Sequence, residues 1–570
     1  MRRIGVIATL AALLVAGAGP RDASAQVGQQ SLKPKVKDAI AYAKSRALRD
    51  LPKLDPTRRF STDPGERGEG PAGYTGLSER APGDNAHMRD GALQAALPAA
   101  AMPAPLFTFE GPSNQDNFNT FGFRVNPPDP VGDVGKDQYV AMINLVYSVY
   151  SKTGELLGGP FDTGTLWQDF PVEDCTDPSG DPIVFYDEIA NRWVLTQFTT
   201  RFATNQFYIC MAVSATPDAL GEYHLHAFST GDAFPDYPKY GLWRDAYVFT
   251  TREFDNGGVG PEQIGIYAVK RSDMLGGSAP PRMVQFTLEG PPNLVGDGLL
   301  PADIDGKRLP PPDSPIPIVG SQDDDAFDGA TFDALNIFHL KVNWSKPEQS
   351  TFALVKQVPI AEYDTNYPCT PTSRDCLEQP PPATNTGDKL DILSYRQRPM
   401  HRLQYRNFGT HESLVTNQSV EARPNVAGIR WWELRNPADP VLHQEGTWSP
   451  DDVHRWMGSA AMDRDGNLAL GYSVVNATNV FPGIRYAGRL AGDPLGQLTQ
   501  GEAELQAGSG VQRTTNSRWG DYTSMNLDPN DDCTFYFINE YYTAASQLTS
   551  TAGWLTRIGA FKFPSCKPGN

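Results

Sequence analysis

The stretch Gly180 to Phe198, GDPIVFYDEIANRWVLTQF, constrains this chain more than any other, because its pattern returns six more times. Ile183 to Tyr186 is an apolar run, Asp187 to Asn191 is turn material, and Trp193 to Phe198 alternates between two faces at the two-residue period of a strand. It reads as a hairpin. The same unit recurs at Asp133 to Asn144, Asp236 to Thr251, Leu300 to Gln322, His401 to Val420, His454 to Val474 and Ser517 to Asn539. A second pair of strands follows, as in Val146 to Ser151 with Glu155 to Phe161, and Ile429 to Leu434 with Val441 to Trp448. Four strands per unit make a propeller blade, so the expected fold is all-β, a seven-bladed β-propeller over residues 103–570. Six or eight blades are the alternatives, because the fourth unit is poorly defined.

The long interval lies between Leu300 and His401. Within it, residues 361–389 are rich in Pro, Thr and Asp and read as a loop projecting from the fourth blade, pinned by Cys369 and Cys376. The last unit supplies three strands, ending with Leu555 to Phe563. Leu106 to Glu110 is the strand available to complete it, which would leave no long open edge. The other cysteines form two sequence-local pairs, Cys175 with Cys210 and Cys533 with Cys566, and nearest-neighbour disulfides are the expectation for an exported chain.

Export is read from Met1 to Ala25, where Arg2 and Arg3 precede the apolar run Ile4 to Ala18 and Ala23-Ser24-Ala25 offers a cleavage site. A Sec-type signal peptide of this kind implies a secreted or periplasmic protein, with no membrane insertion. Residues 26–102 form a Pro/Gly/Ala-rich leader, expected to be largely disordered except for one helix over 34–51. The net charge of -18 and pI near 4.9 would repel nucleic acid and anionic membranes. An extracellular glycan or protein is the expected partner, and a monomer the expected state.

Over residues 106–566 the repeat style resembles secreted bacterial β-propellers of the sialidase-like, BNR-repeat kind, without matching one specific family. Such propellers carry Asp boxes, S-x-D-x-G-x-T-W, and this chain has none. The nearest string, Met462 to Gly471 (MDRDGNLALG), falls in an inner hairpin. The resemblance therefore implies the fold and leaves sialidase activity unsupported.

Chemistry is expected where inner strands begin, since those residues converge near the axis. Arg402, Arg455 and Arg518 stand at equivalent places in three consecutive units, and guanidinium forks fit carboxylate or sulfate groups. The resemblance implies a similar use, because sialidases bind an anionic sugar with an arginine cluster. Lys239, Trp456 and Trp519 complete the candidate ligand-binding set. Tyr405, Tyr522, Asp181, Asp236, His401 and His454 are the candidate catalytic groups, with Asp303 and Asp521 nearby. They suit glycoside hydrolysis, in which a tyrosine can serve as nucleophile, or lyase chemistry with a histidine or tyrosine base. For each of these residues a blade-to-blade hydrogen bond or a packing role is the competing reading.

No cofactor is required by any motif, although Asp463, Asp465 and Asn467 have the alternating oxygens of a calcium loop. They also sit where an inner-hairpin turn needs Asp, Asn and Gly for its own geometry. The sequence has no GxSxG elbow, no P-loop, no GxGxxG following a strand and no cysteine-histidine pair that stands out, which removes serine hydrolase, nucleotide-dependent and cysteine protease readings, and no HExxH, which leaves the histidines as surface or structural groups. Three functions stay open: recognition of a carbohydrate, an anionic polysaccharide among the candidates, at the central mouth; glycoside hydrolysis or polysaccharide cleavage by a lyase there; and a purely structural or protein-binding propeller.

Overall fold

The computed structural model describes residues 32–52, 90–200, 204–254, 263–277, 279–289, 298–324, 330–365, 375–384, 388–392, 398–514 and 517–567. The signal peptide, the Gly65 to Asp84 linker and Cys369 lie outside them. Among the described residues each repeated hairpin opens a sheet unit of four antiparallel strands; the leader adds a fifth strand to the second and third units, and the fourth and fifth units join through the parallel pair of Leu300–Asp305 and Met400–Asn407 into one nine-stranded sheet that ends on Leu93–Gln94. The first sheet begins with Val131–Val134, the second with Ile183–Asp187, the third with Phe234–Leu242 and the fourth with Leu300–Asp305. The fifth begins with Met400–Asn407, the sixth with His454–Met462 and the seventh with Ser524–Leu527. These starting strands touch their neighbours in chain order, and that of the seventh sheet touches that of the first.

Burial explains why the strands read as near-continuous apolar runs. In the second sheet Ile183–Asp187 and Phe207–Ser214 are buried along their whole length. Both faces are covered by flanking sheets, so neither needs polar side chains. The seventh sheet takes its fourth strand from far upstream: Phe107–Glu110 pairs antiparallel with Leu555–Phe561, Phe107 opposite Ala560 and Glu110 opposite Arg557.

The leader does not form the helix expected over 34–51. Lys35–Asp38 instead adds to the open edge of the third sheet, pairing with Arg282–Glu289, and Ala41–Lys44 adds to the second sheet along Tyr223–Gly231. Only one short 3-10 turn follows, Leu48–Asp50. An outer strand carries a row of unpaired N–H and C=O groups, and a short segment gains more by completing that ladder than by closing an isolated helix. Two neighbouring sheets are thereby strapped together by one segment.

In the insertion, the described residues 375–384 and 388–392, at the end of the expected loop, pack inward, while Cys369 and its surroundings lie outside the described residues. Leu377, Leu390 and Ile392 are buried in the same apolar cluster as Tyr237, Met400, Trp519 and Tyr522. Its polar groups reach the start of the seventh sheet: Gln379 exchanges two hydrogen bonds of 2.9 Å with the backbone of Gln512, and Asp391 N–H donates to Ser517 O at 3.0 Å. A segment leaving the fourth sheet and returning to the fifth thus crosses to the seventh. Its apolar side chains, with no other place to hide, draw it down onto the inner strands.

Disulfides join Cys175 to Cys210 and Cys533 to Cys566, and Cys376 is also disulfide-bonded. Among the described residues no helix is long and apolar enough to cross a membrane.

Candidate functional site

The starts of the inner strands share a local device that no residue type announces. Asp129, Asp181, Tyr237, Met457 and Ser517 have φ between 49° and 51°, in the left-handed region. Each such non-glycine residue costs about 1–2 kcal/mol, and the cost is offset by where the turned backbone points. The N–H of Asp181 donates to Asn144 Oδ1 of the first sheet at 3.0 Å, and that of Tyr237 to Asp181 Oδ2 at 3.1 Å. The N–H of Met457 donates to Ser419 Oγ of the fifth sheet at 3.1 Å. Three of the turned residues are therefore tied to the preceding sheet.

These turns gather a buried polar cluster. Carboxylate oxygens of Asp129, Asp181 and Asp521 lie within 4.8 Å of one another. The Tyr522 hydroxyl donates to Asp181 Oδ2 at 2.9 Å, the Asp521 N–H to Asp129 Oδ1 at 2.8 Å, and Arg518 Nη2 to Asp521 Oδ1 at 2.6 Å. The Lys239 ammonium lies 3.0 Å from the ring centroid of Tyr237 and 3.5 Å from that of Tyr522, and it has no hydrogen-bond partner. Arg398 covers Tyr237 at 3.3 Å. Asp236 adds a carboxyl group beside Asp181, and Glu540 adds one beside Asp129 and Asp521 that burial and those neighbours raise well above its ordinary range.

Burial and charge crowding set the protonation of this cluster. Burial, and then the charge of Asp521, push the Asp129 carboxyl up to about 8. The Asp181 carboxyl is raised well above its ordinary range by burial and by Asp129, and Tyr522 is raised by burial and by Asp181. Burial and the neighbouring Arg398 hold Lys239 well below the usual lysine value. The cluster thus stores acidic protons at neutral pH.

A stability consequence follows for Asp129, and for Asp133, which burial also pushes up to about 8. A carboxyl whose folded value is raised favours the folded state most below its unfolded value, and that contribution is lost as pH rises through the folded value. The melting temperature is therefore expected to fall between pH 5 and pH 8, and Asp129→Asn to flatten the slope. A melting temperature rising steadily across that window would contradict these protonation states.

Of the three arginines expected to share a mouth, only Arg518 lies in this cluster. Arg402 is buried between Asp303 and Asp305: its Nε is 2.6 Å from Asp303 Oδ2, and Nη1 and Nη2 are 2.8 and 2.5 Å from the two Asp305 oxygens. Arg455 is turned to Asp451 and to Glu502 on the outer strand of its own sheet, each at 2.8 Å. The equivalence fails because the strands carry irregular register, between Met400 and Gln404 in one and between Trp456 and Ser459 in the other. Arg402 falls inside its irregularity whereas Arg455 stands before the one in its strand, so the two positions differ in register despite their matching neighbours.

The remaining candidates divide similarly. His401 borders the cluster, held neutral by burial and by the charges of Lys239 and Arg402. His454 Nδ1 accepts the Ala427 N–H at 3.2 Å, outside the cluster. Tyr405 donates to Glu412 and meets Trp243 edge-on at 5.1 Å. Trp456 and Trp519 are fully buried and pack on each other at 5.3 Å, so neither offers a face to a sugar. Asp463 Oδ1 accepts the N–H groups of Asp465 and Asn467, and Oδ2 accepts Asn467 Nδ2 at 2.7 Å. With Gly466 at φ 84°, this is a turn closed on its own carboxylate. Asp129, Tyr237, Arg398 and Glu540 are the cluster members that the sequence reading missed.

No protein-family model matches this chain, and no characterised relative matches it by sequence. Solved structures with similar folds include an α-L-arabinanase of Penicillium chrysogenum in complex with arabinobiose, at 9% identity, 81% of this chain, 100% of that chain and a TM-score of 0.32. A protein of unknown function from Dyadobacter fermentans matches at 9% identity, 81% of this chain, 99% of that chain and a TM-score of 0.33. Trypanosoma rangeli sialidase matches at 9% identity, 67% of this chain, 54% of that chain and a TM-score of 0.29.

Proposed function

We propose that the chain is an exported, seven-bladed β-propeller that binds an extracellular carbohydrate at the axial cluster of Asp129, Asp181, Asp236, Lys239, Arg398, Arg518, Asp521 and Tyr522. The observation that carries this reading is the convergence of charged and hydroxyl groups from several sheets, on strained backbone, where a purely structural axis would be apolar. Carboxylates accept hydrogen bonds from sugar hydroxyls, and the stored protons and cations donate to sugar oxygens. Carboxyl groups outnumber the cationic ones here, which favours a neutral sugar over an anionic polysaccharide.

Glycoside hydrolysis is the second reading, favoured by the hydrogen-bonded pair of Tyr522 and Asp181 beside a carboxyl that keeps its proton. An acid and a nucleophile or base on either side of the bond are the requirements of that reaction. The test is incubation of the folded chain with neutral, uronate-rich, sialylated and sulfated polysaccharides, recording binding and new reducing ends. Retention of a neutral glycan, lost in Asp181→Asn, is the expected result. New ends would establish the hydrolase. Unchanged binding in Asp181→Asn would place the ligand elsewhere and overturn the assignment.

A further inference from the structure

The hairpin end of the fourth sheet carries a second concentration of acid, remote in sequence from the axial residues. Its strands Ile316–Gln322 and Ala334–Lys341 end at the facing pair Gln322 and Ala334. The next residues outward are Asp323 and Asp333, so two like charges follow that pair on opposing strands, an arrangement that destabilises a hairpin when nothing lies between them. Both are buried, and one carboxylate oxygen from each lies within 4.8 Å of one from the exposed Asp324.

The surrounding backbone fixes these carboxylates. Asp323 Oδ2 accepts the N–H and the hydroxyl of Thr365, both at 2.7 Å. Asp333 accepts the N–H of Asp324 on Oδ1 and that of Tyr363 on Oδ2, each at 2.9 Å. The base of the hairpin is held as well, since Gln322 Nε2 donates to Phe332 O at 2.7 Å and Ile360 N–H to Asp333 O at 3.1 Å. Two of the three carboxylates, those of Asp323 and Asp333, are therefore held in place beside the exposed Asp324.

An independent feature faces them. Tyr363 is 1% exposed, and its hydroxyl, near Ser321 and in the field of both Asp323 and Asp333, makes no hydrogen bond of good geometry. Ser321 Oγ, on the same face of its strand as Asp323, is likewise buried without a partner. Leaving a buried hydroxyl without a hydrogen bond is costly, and two such oxygens beside crowded carboxylates keep unused lone pairs there. Hard oxygen donors with no nitrogen or sulfur among them match calcium.

We propose that Asp323, Asp324 and Asp333 bind one calcium ion, with the Tyr363 and Ser321 hydroxyls completing its surroundings. The ion neutralises the opposed charges and clamps the outer end of the hairpin to the segment carrying Tyr363 and Thr365. Its role is to hold the start of the inserted segment against the fourth sheet.

The test uses the full chain stripped with chelator and titrated with terbium, whose emission is sensitised by a nearby tyrosine, followed by displacement with calcium. One saturable site is expected, with a calcium Kd of about 10⁻⁴ to 10⁻³ M. Asp324→Asn, at an exposed position that leaves the fold intact, should weaken binding about tenfold, and Asp333→Asn should abolish it, while Asp129→Asn should leave it unchanged. Absence of a saturable site would overturn the proposal. So would full binding in Asp324→Asn, or loss in Asp129→Asn, which would move the ion to the axial carboxylates. If Asp333→Asn does not fold, the Asp324→Asn titration decides alone.

Discussion

Arg402→Met is expected to destabilise the fold by about 3–5 kcal/mol, because it leaves two carboxylates buried without their partner. Asp303 and Asp305 receive three guanidinium hydrogen bonds, and Asp305 accepts a further one from Gln404 Nε2 at 2.6 Å. Removing the cation forces both acids to take up protons or draw in water, between inner strands that touch directly. Arg402→Lys should recover only part of the loss, since an ammonium cannot reproduce the fork. The measurement is the denaturant midpoint with its slope, compared with a triple variant that also carries Asp303→Asn and Asp305→Asn. The triple variant should regain most of the stability. A single variant as stable as wild type would show that the pairing contributes nothing and would return Arg402 to the ligand-binding residues.

Tyr522→Phe is the complementary case, with a large functional effect and a small structural one. The substitution keeps the ring under Lys239 and removes only the hydroxyl that donates to Asp181. Asp181 Oδ2 still accepts the Tyr237 N–H, so the cost to the fold should be about 1 kcal/mol. If the cluster hydrolyses a glycosidic bond, the rate should fall by about a hundredfold to ten-thousandfold, because the group that holds or transfers the reacting proton is gone. Release of products at the wild-type rate would remove Tyr522 from the chemistry.

The hairpins were legible because their signals are local. An apolar run, a turn rich in Asp and Asn and a second run lie within about twenty residues, so period and turn chemistry suffice. The axial cluster was legible only in part. Asp181, Asp236, Lys239, Arg518, Asp521 and Tyr522 could be named from their places at the starts of repeats. Asp129 and Arg398 stand just before strands begin, and their inward position depends on backbone turns and packing that leave no compositional trace. Arg402 and Arg455 misled for the opposite reason: identical neighbours in sequence, HR followed by an apolar residue, point to different carboxylates because one arginine lies within a bulge and the other before one. The helix expected over 34–51 failed because the decisive partners, two open sheet edges, lie far away in the chain.

The closing pair of strands also sets a timetable for the growing polypeptide. Glu110 accepts a hydrogen bond from Arg557, 447 residues downstream, so Phe107–Glu110 leaves the ribosome long before its partner exists. At the usual pace of synthesis that wait is roughly 20–90 s. During it the early strand is an unattached, sticky ribbon, and the last sheet cannot be completed by any chain that stops short of Leu555–Phe561. Quality control by truncation is thus built into the topology: an unfinished copy keeps two exposed β-edges, the features that aggregation and proteolysis select first.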